Sequence, residues 1–183
     1  MTEKEKAKKG LLYRPKDPEL SRECQAAKAL CYEYNHLPPS ELEKRQALIR
    51  KLIGKVKDNV FIEQPFYCDY GYNIEIGNNF YSNHNLVILD TAKVTFGDNV
   101  FIAPNCAFFG PEHPLDVPTR NSGAEYALPI TVGDNVWIGG NTVVLGGVTI
   151  GANTVIGAGS VVTKDIPPGV LAFGNPCRVI RKI

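Results

Sequence analysis

Long apolar runs are missing from this chain: no stretch approaches the roughly 18 consecutive apolar residues that a helical membrane span requires. An excess of one charge is missing too. Twenty Lys and Arg face 19 Asp and Glu, a formal net charge of +1, so neither nucleic acid nor an anionic membrane surface is expected as a partner. Paired cysteines are absent. Cys24, Cys31, Cys68, Cys106 and Cys177 are odd in number, scattered and without a CxxC, which excludes a disulfide framework and favours reduced thiols in the cytoplasm. The opening MTEKEKAKKG has no apolar segment behind it, so no secretory signal is expected. At 183 residues the chain suits one domain with a small appendage.

What is present is a repeat. From Val132 every sixth residue is Val or Ile: Val132, Ile138, Val144, Ile150, Ile156 and Val162. Gly133, Gly139, Gly151 and Gly157 follow four of them, and Val136, Thr142, Val148, Thr154 and Ser160 form a second small or β-branched series. A period of six fits neither a 3.6-residue helix nor a two-residue strand. It fits short strands wound into coils, whose inward residues stack into columns while each rung pairs with the next. The fold class is therefore mainly β, a parallel β-helix. The same grammar runs through Ile74, Ile76 and Phe80 and through Val94, Phe96, Val100 and Ile102. Twenty residues separate Ile76 from Phe96, two more than three hexads, which places an insertion near Thr91 and Ala92. The β-helix is expected to start near Val56 to Val60 and to end near Asp165 to Pro168.

Two amphipathic helices should precede it. Asp17 and Pro18 read as an N-cap and first helical residue, with Leu20, Cys24, Ala27, Cys31 and Tyr34 on one face. A second helix is expected after Pro38 and Pro39, with a capping box from Ser40 to Glu43 and an apolar stripe of Leu42, Ile49, Leu52 and Ile53. The domain reading is a helical cap over 1–55 and a β-helix with its tail over 56–183. Between about 109 and 129 the hexad vanishes, and so long an interruption reads as a functional loop.

The hexads, the stretch PFYCDYG from Pro65 to Gly71, YSNHN from Tyr81 to Asn85, His113 with Pro114, and GNPCRVIR from Gly174 to Arg181 together resemble the maltose and galactoside O-acetyltransferases. The resemblance runs over nearly the whole chain, cap included. It implies a left-handed β-helix, a homotrimer with sites between subunits, acetyl-CoA as donor and a sugar hydroxyl as acceptor. A nucleotide-sugar or xenobiotic acetyltransferase on the same scaffold, or a non-catalytic assembly module, are the competing readings.

Transfer of an acetyl group to a hydroxyl needs a base and donors for the developing oxyanion. Of three histidines, His36 lies at a helix end, where an exposed or capping role is expected, and His84 lies within a coil and reads as structural. His113 lies in the loop and matches the family's catalytic histidine. Asn83 matches a position touching acceptor and intermediate, and Asp69 an acceptor contact. Glu125 could orient His113 or touch the sugar, and Tyr81 could stack on it. For coenzyme A, Lys164, Arg178 and Arg181 match phosphate contacts. Ala103, Gly140, Ala158 and Thr163 match positions along the pantetheine arm, and Trp137 could wall the groove. No metal is implied: a zinc hydratase on this scaffold needs three histidine ligands, and His84 and His113 are the only histidines in the β-helix, without close paired spacing. Cys24 stands where many relatives carry an acceptor-contacting arginine, and an acidic contact of the family falls ambiguously between Pro15 and Asp17.

Overall fold

Short strands form here because the repeat specifies the inward positions and two of the three corners. The structure is a computed structural model describing residues 1–183. Three parallel sheets wind about one core. The first contains Lys55–Val56, Ile74–Ile76, Val94–Phe96, Ile130–Val132 and Thr149–Ile150. The second contains Phe61–Ile62, Tyr81–Ser82, Phe101–Ile102, Trp137–Ile138, Val155–Ile156 and Val170–Phe173. The third contains Phe66–Cys68, Leu86–Leu89, Ala107–Phe109, Val143–Leu145 and Val161–Val162. The six-residue column from Val132 to Val162 is at most 1% exposed throughout. Each such aliphatic side chain contributes roughly 1.5–3 kcal/mol by leaving water. In the second series, Thr142 and Ser160 are buried with their hydroxyls donated to Gly139 O (2.7 Å) and Gly157 O (2.5 Å).

The corners divide their labour between two residue types. Gly139 and Gly151 give close approach: a Cβ there would sit 2.5 Å from Ala158 N and 2.4 Å from Pro168 N in the next coil. Positive φ is supplied chiefly by asparagine, at Asn59, Asn79, Asn99, Asn135 and Asn153 on one corner and Asn85, Asn105 and Asn141 on another. Asparagine tolerates this region better than most residues. Its amide also both donates and accepts, so the side chains join in ladders at 2.9–3.0 Å from Asn59 to Asn153.

The third corner, leading from the third sheet back to the first, absorbs all variation in coil length. Paired residues of the first sheet are 20 apart at Lys55↔Glu75 and Glu75↔Thr95, 36 apart at Thr95↔Thr131, and 18 apart at Thr131↔Thr149. The bridge Ile150↔Ile166 closes the last coil with 16. The insertion expected near Thr91 and Ala92 is present, and Asp69 to Asn73 is its counterpart one coil earlier. The expected end near Pro168 is corrected. Losing two corner residues shifts the inward frame from Val162 to Ile166 and then Ala172, so Val170–Phe173 adds another rung and Arg178–Lys182 folds back antiparallel on it.

The cap has three helices rather than two. Besides α2 (Pro18–His36) and α3 (Leu42–Leu52), a short α1 (Glu3–Lys8) carries a capping box of Thr2 and Glu5. Asp17 caps α2 as expected, accepting from Glu19 N and Leu20 N. The Ser40–Glu43 capping box does not form. Glu41 occupies the N-cap without a side-chain bond and Leu42 is exposed, while Arg45 takes the buried stripe instead. The cap satisfies the open edge of the first coil. Asn35 exchanges two hydrogen bonds with the Phe66 backbone, Gln46 donates to Val60 O, and Arg45 donates to Ile62 O (3.2 Å) and Glu63 Oε2 (3.2 Å). No helix is long and apolar enough to cross a membrane.

Candidate active site

The long interruption is a structured excursion from the third corner. Pro111–Glu112 pairs antiparallel with Tyr126–Ala127, and α4 (Val117–Asn121) closes the far end. The expected bare loop is thus a hairpin with a helical tip. Its register explains the site. Glu112 faces Tyr126, so the next rung sets His113 opposite Glu125. Their side chains come within ion-pair range, His113 Nε2 to Glu125 Oε1 being 3.7 Å.

Glu125 is anchored from behind. Buried Tyr13 donates its hydroxyl to Glu125 Oε2 at 2.8 Å, and the two backbones exchange hydrogen bonds at 2.9 and 3.0 Å. Burial, reinforced by the carboxylate of Glu125, pushes the Tyr13 phenol well above its ordinary range, so it remains a donor. A carboxylate fixed in this way can orient an imidazole.

His113 and Glu125 look into a cleft of about 750 Å³ at the third corner, lined also by Asp69, Tyr13, Cys24 and Lys28. Asp69 is presented by the two-residue insertion in its coil. Wholly buried Asp90 organises that turn, accepting from the backbone N–H groups of Asp69 (3.1 Å), Tyr70 (2.8 Å) and Asn73 (3.2 Å). Burial, then the neighbouring charge of Asp90, raises the Asp69 carboxyl from its ordinary 3.8 to about 6, with Lys28 opposing. Asp17 is committed to capping α2, which leaves Pro15 and Lys16 as the cleft's lining from that segment.

The remaining expected residues lie elsewhere on the chain. Tyr81, Asn83, Ala103, Trp137, Gly140 and Ala158 run along the second sheet and the corner that follows it. Tyr81, Phe101 and Trp137 are partners on successive rungs, and Trp137 is 55% exposed. Arg178 and Arg181 stand on the strand that ends this sheet. Thr163 and Lys164 are exposed at the top of the third corner, above the cleft side. His84 Nδ1 meets Gln64 O at 2.5 Å and His36 Nδ1 meets Tyr32 O at 2.8 Å, structural contacts for both. No three His, Cys, Asp or Glu side chains gather into a metal-binding group. Sequence reasoning missed Tyr13, Lys28 and Asp90. Asp90 alone carried a signal, a carboxylate closing the apolar strand Leu86–Leu89 at the corner where the repeat gains two residues.

A parallel β-helix with a helical cap and a His–carboxylate pair over an open cleft defines a hexapeptide-repeat transferase. Residues 6–57 match the maltose acetyltransferase hexapeptide capping motif and residues 129–164 the bacterial transferase hexapeptide of six repeats. The galactoside O-acetyltransferase of Escherichia coli K12 is 54% identical over 85% of this chain and 77% of its own length. A maltose O-acetyltransferase structure from Clostridium difficile 630 is 50% identical, covers 100% of this chain and 98% of its own, and superposes with a TM-score of 0.97. A galactoside acetyltransferase in complex with coenzyme A superposes equally well, at 0.97, with 50% identity, covering 100% of this chain and 92% of its own. The chain belongs to the hexapeptide-repeat family of galactoside and maltose O-acetyltransferases.

Proposed function

We propose that this chain is an acetyl-CoA-dependent O-acetyltransferase that acts on a sugar hydroxyl as a cytoplasmic homotrimer. The observation that carries the reading is the rung that sets His113 opposite Glu125 above a cleft holding Asp69. In this mechanism the His113 imidazole takes the proton of the acceptor hydroxyl while that oxygen attacks the thioester carbonyl. The tetrahedral intermediate expels the coenzyme A thiolate, which takes the proton back from the imidazolium. Glu125 orients the ring. Asn83 donates to the oxyanion or holds the acceptor, and Asp69 accepts from acceptor hydroxyls.

The placement of these residues supports the trimeric reading. His113, Glu125 and Asp69 occupy the third corner, whereas Asn83, Tyr81 and the coenzyme A stripe through Ala103, Trp137, Gly140 and Ala158 follow the second sheet. One chain therefore carries two half-sites, and a rotational assembly joins the corner of one copy to the sheet of its neighbour. The exposed column of Phe101 and Trp137 offers an apolar surface for that contact. Lys164, Arg178 and Arg181 supply cationic groups for the phosphates of the donor, and Thr163 contacts its pantetheine arm.

The test is turnover by thiol release with acetyl-CoA and a panel of sugar acceptors. His113→Ala should lose about 10²–10⁴-fold in turnover while retaining coenzyme A binding by calorimetry. A loss below about threefold would remove His113 as the base. Failure to bind coenzyme A at all would remove the acetyltransferase reading.

A further inference from the structure

Two thiols that the proposed chemistry does not use face each other between cap and β-helix. Cys31 lies on α2 and Cys68 ends the strand Phe66–Cys68, 37 positions apart in sequence, with their Sγ atoms 3.8 Å apart. Both are buried, at 3% and 5% exposure, and no other pair among the five free cysteines is in thiol contact. Both also line a second cleft of about 420 Å³, walled by Tyr32, Tyr67 and Leu89 and sharing Lys28 and Asp69 with the first. The sulfurs thus border a cavity large enough for a small oxidant, and Cys68 immediately precedes Asp69.

We infer that Cys31 and Cys68 form a dithiol modification site that hydroperoxides convert into a disulfide, fastening α2 to the β-helix beside the acceptor cleft. The chemistry balances without another reactant. The thiolate of Cys31 attacks the peroxide oxygen, breaking the O–O bond and giving a sulfenic acid plus water or an alcohol. Cys68 sulfur then attacks the sulfenyl sulfur, expelling hydroxide, which leaves as water with the proton of Cys68. Two thiols are oxidised and one peroxide is reduced, two electrons passing between them. The order of attack follows from the contact. Either sulfur can donate across this contact; with Cys68 donating, the Cys31 thiol lies below its ordinary range, against the effect of burial. The same contact, with burial behind it, pushes Cys68 up. Thiolate character decides which sulfur is the nucleophile. Joining them requires an approach of a little under ~2 Å to the ~2.05 Å disulfide bond, within reach of side-chain rotation and a small helix shift.

The experiment treats the purified full chain with hydrogen peroxide, quenches it, and titrates thiols in guanidinium. The five titratable thiols should fall to three, five less the joined pair. The intact mass should drop by two hydrogens, and a non-reduced peptide map should show the Cys31–Cys68 linkage, reversed by dithiothreitol. Oxidised protein should melt several degrees higher, because the link closes a long loop in the unfolded chain. Cys24→Ser, on the same helix, should leave the yield of linkage unchanged, whereas Cys31→Ser and Cys68→Ser should each abolish it. Five thiols persisting under peroxide, or a linkage through any other cysteine, would overturn the assignment. The map on wild-type protein decides the matter even if a variant folds poorly. Thiol counting needs no acceptor or coenzyme A, so its outcome is independent of the catalytic reading.

Discussion

Replacing Asp69 with Asn should make this protein more stable and a poorer catalyst. The Asp69 carboxyl is raised from 3.8 to about 6 by burial and by the nearby charge of Asp90. A carboxyl raised on folding holds its proton more tightly folded than unfolded, so stability falls as pH rises from about 4 to about 6 and is level above that. The distance between the two values corresponds to at most about 3 kcal/mol. Solvent at the cleft mouth reduces this to about 1–2 kcal/mol. Asp69→Asn removes the ionisation and relieves Asp90 as well, so its advantage should be near zero at pH 4 and full at pH 7.5. Urea unfolding of both proteins at pH 4, 5.5 and 7.5 measures this directly. The acceptor KM should rise over the same range where the carboxylate would have been ionised. A variant that is less stable at pH 7.5, or whose advantage does not change with pH, would refute the electrostatic reasoning.

Three further outcomes are expected. Tyr13→Phe frees one oxygen of Glu125; losing a hydrogen bond worth about 1 kcal/mol should lower turnover about 5-fold, with a small change in melting temperature. Arg178→Ala should raise the acetyl-CoA KM more than it lowers turnover, and steady-state kinetics showing the reverse would exclude a phosphate contact. Asn99→Ala removes two ladder bonds and forces alanine to φ 58°, costing about 2–3 kcal/mol in denaturant unfolding. Asn99→Gly should cost about 1 kcal/mol less, since it keeps the backbone freedom.

Legibility in the sequence followed physical locality. The columns from Val132 to Val162 were readable because each inward residue recurs at a fixed interval and burial is unambiguous. The α2 start was readable because Asp17 and Pro18 act on their immediate neighbours. The α3 start differs from the expectation because Ser40 is taken up in the turn that Glu41 N–H closes on Pro38 O, and the helix opens at Leu42 instead. The pairing of His113 with Glu125 depends on a hairpin register between positions 12 apart that no repeat encodes. Tyr13 is harder still: its partner lies 112 residues away, and nothing local distinguishes it from a packing tyrosine. Arg45 shows the same limit, being buried through contacts to Ile62, Glu63 and the Phe61 ring that exist only once the cap has docked.

Confining every change of coil length to one vertex has a consequence for how such a chain can diversify. Loops may be lengthened, shortened or exchanged there without disturbing the asparagine ladders or the glycine contacts at the other two, because those depend on spacings that never vary. Grafting a different excursion between Phe109 and Pro129 would re-aim the His113 side chain while leaving the stacked scaffold intact. The architecture separates a part that must keep time from a part that is free to improvise.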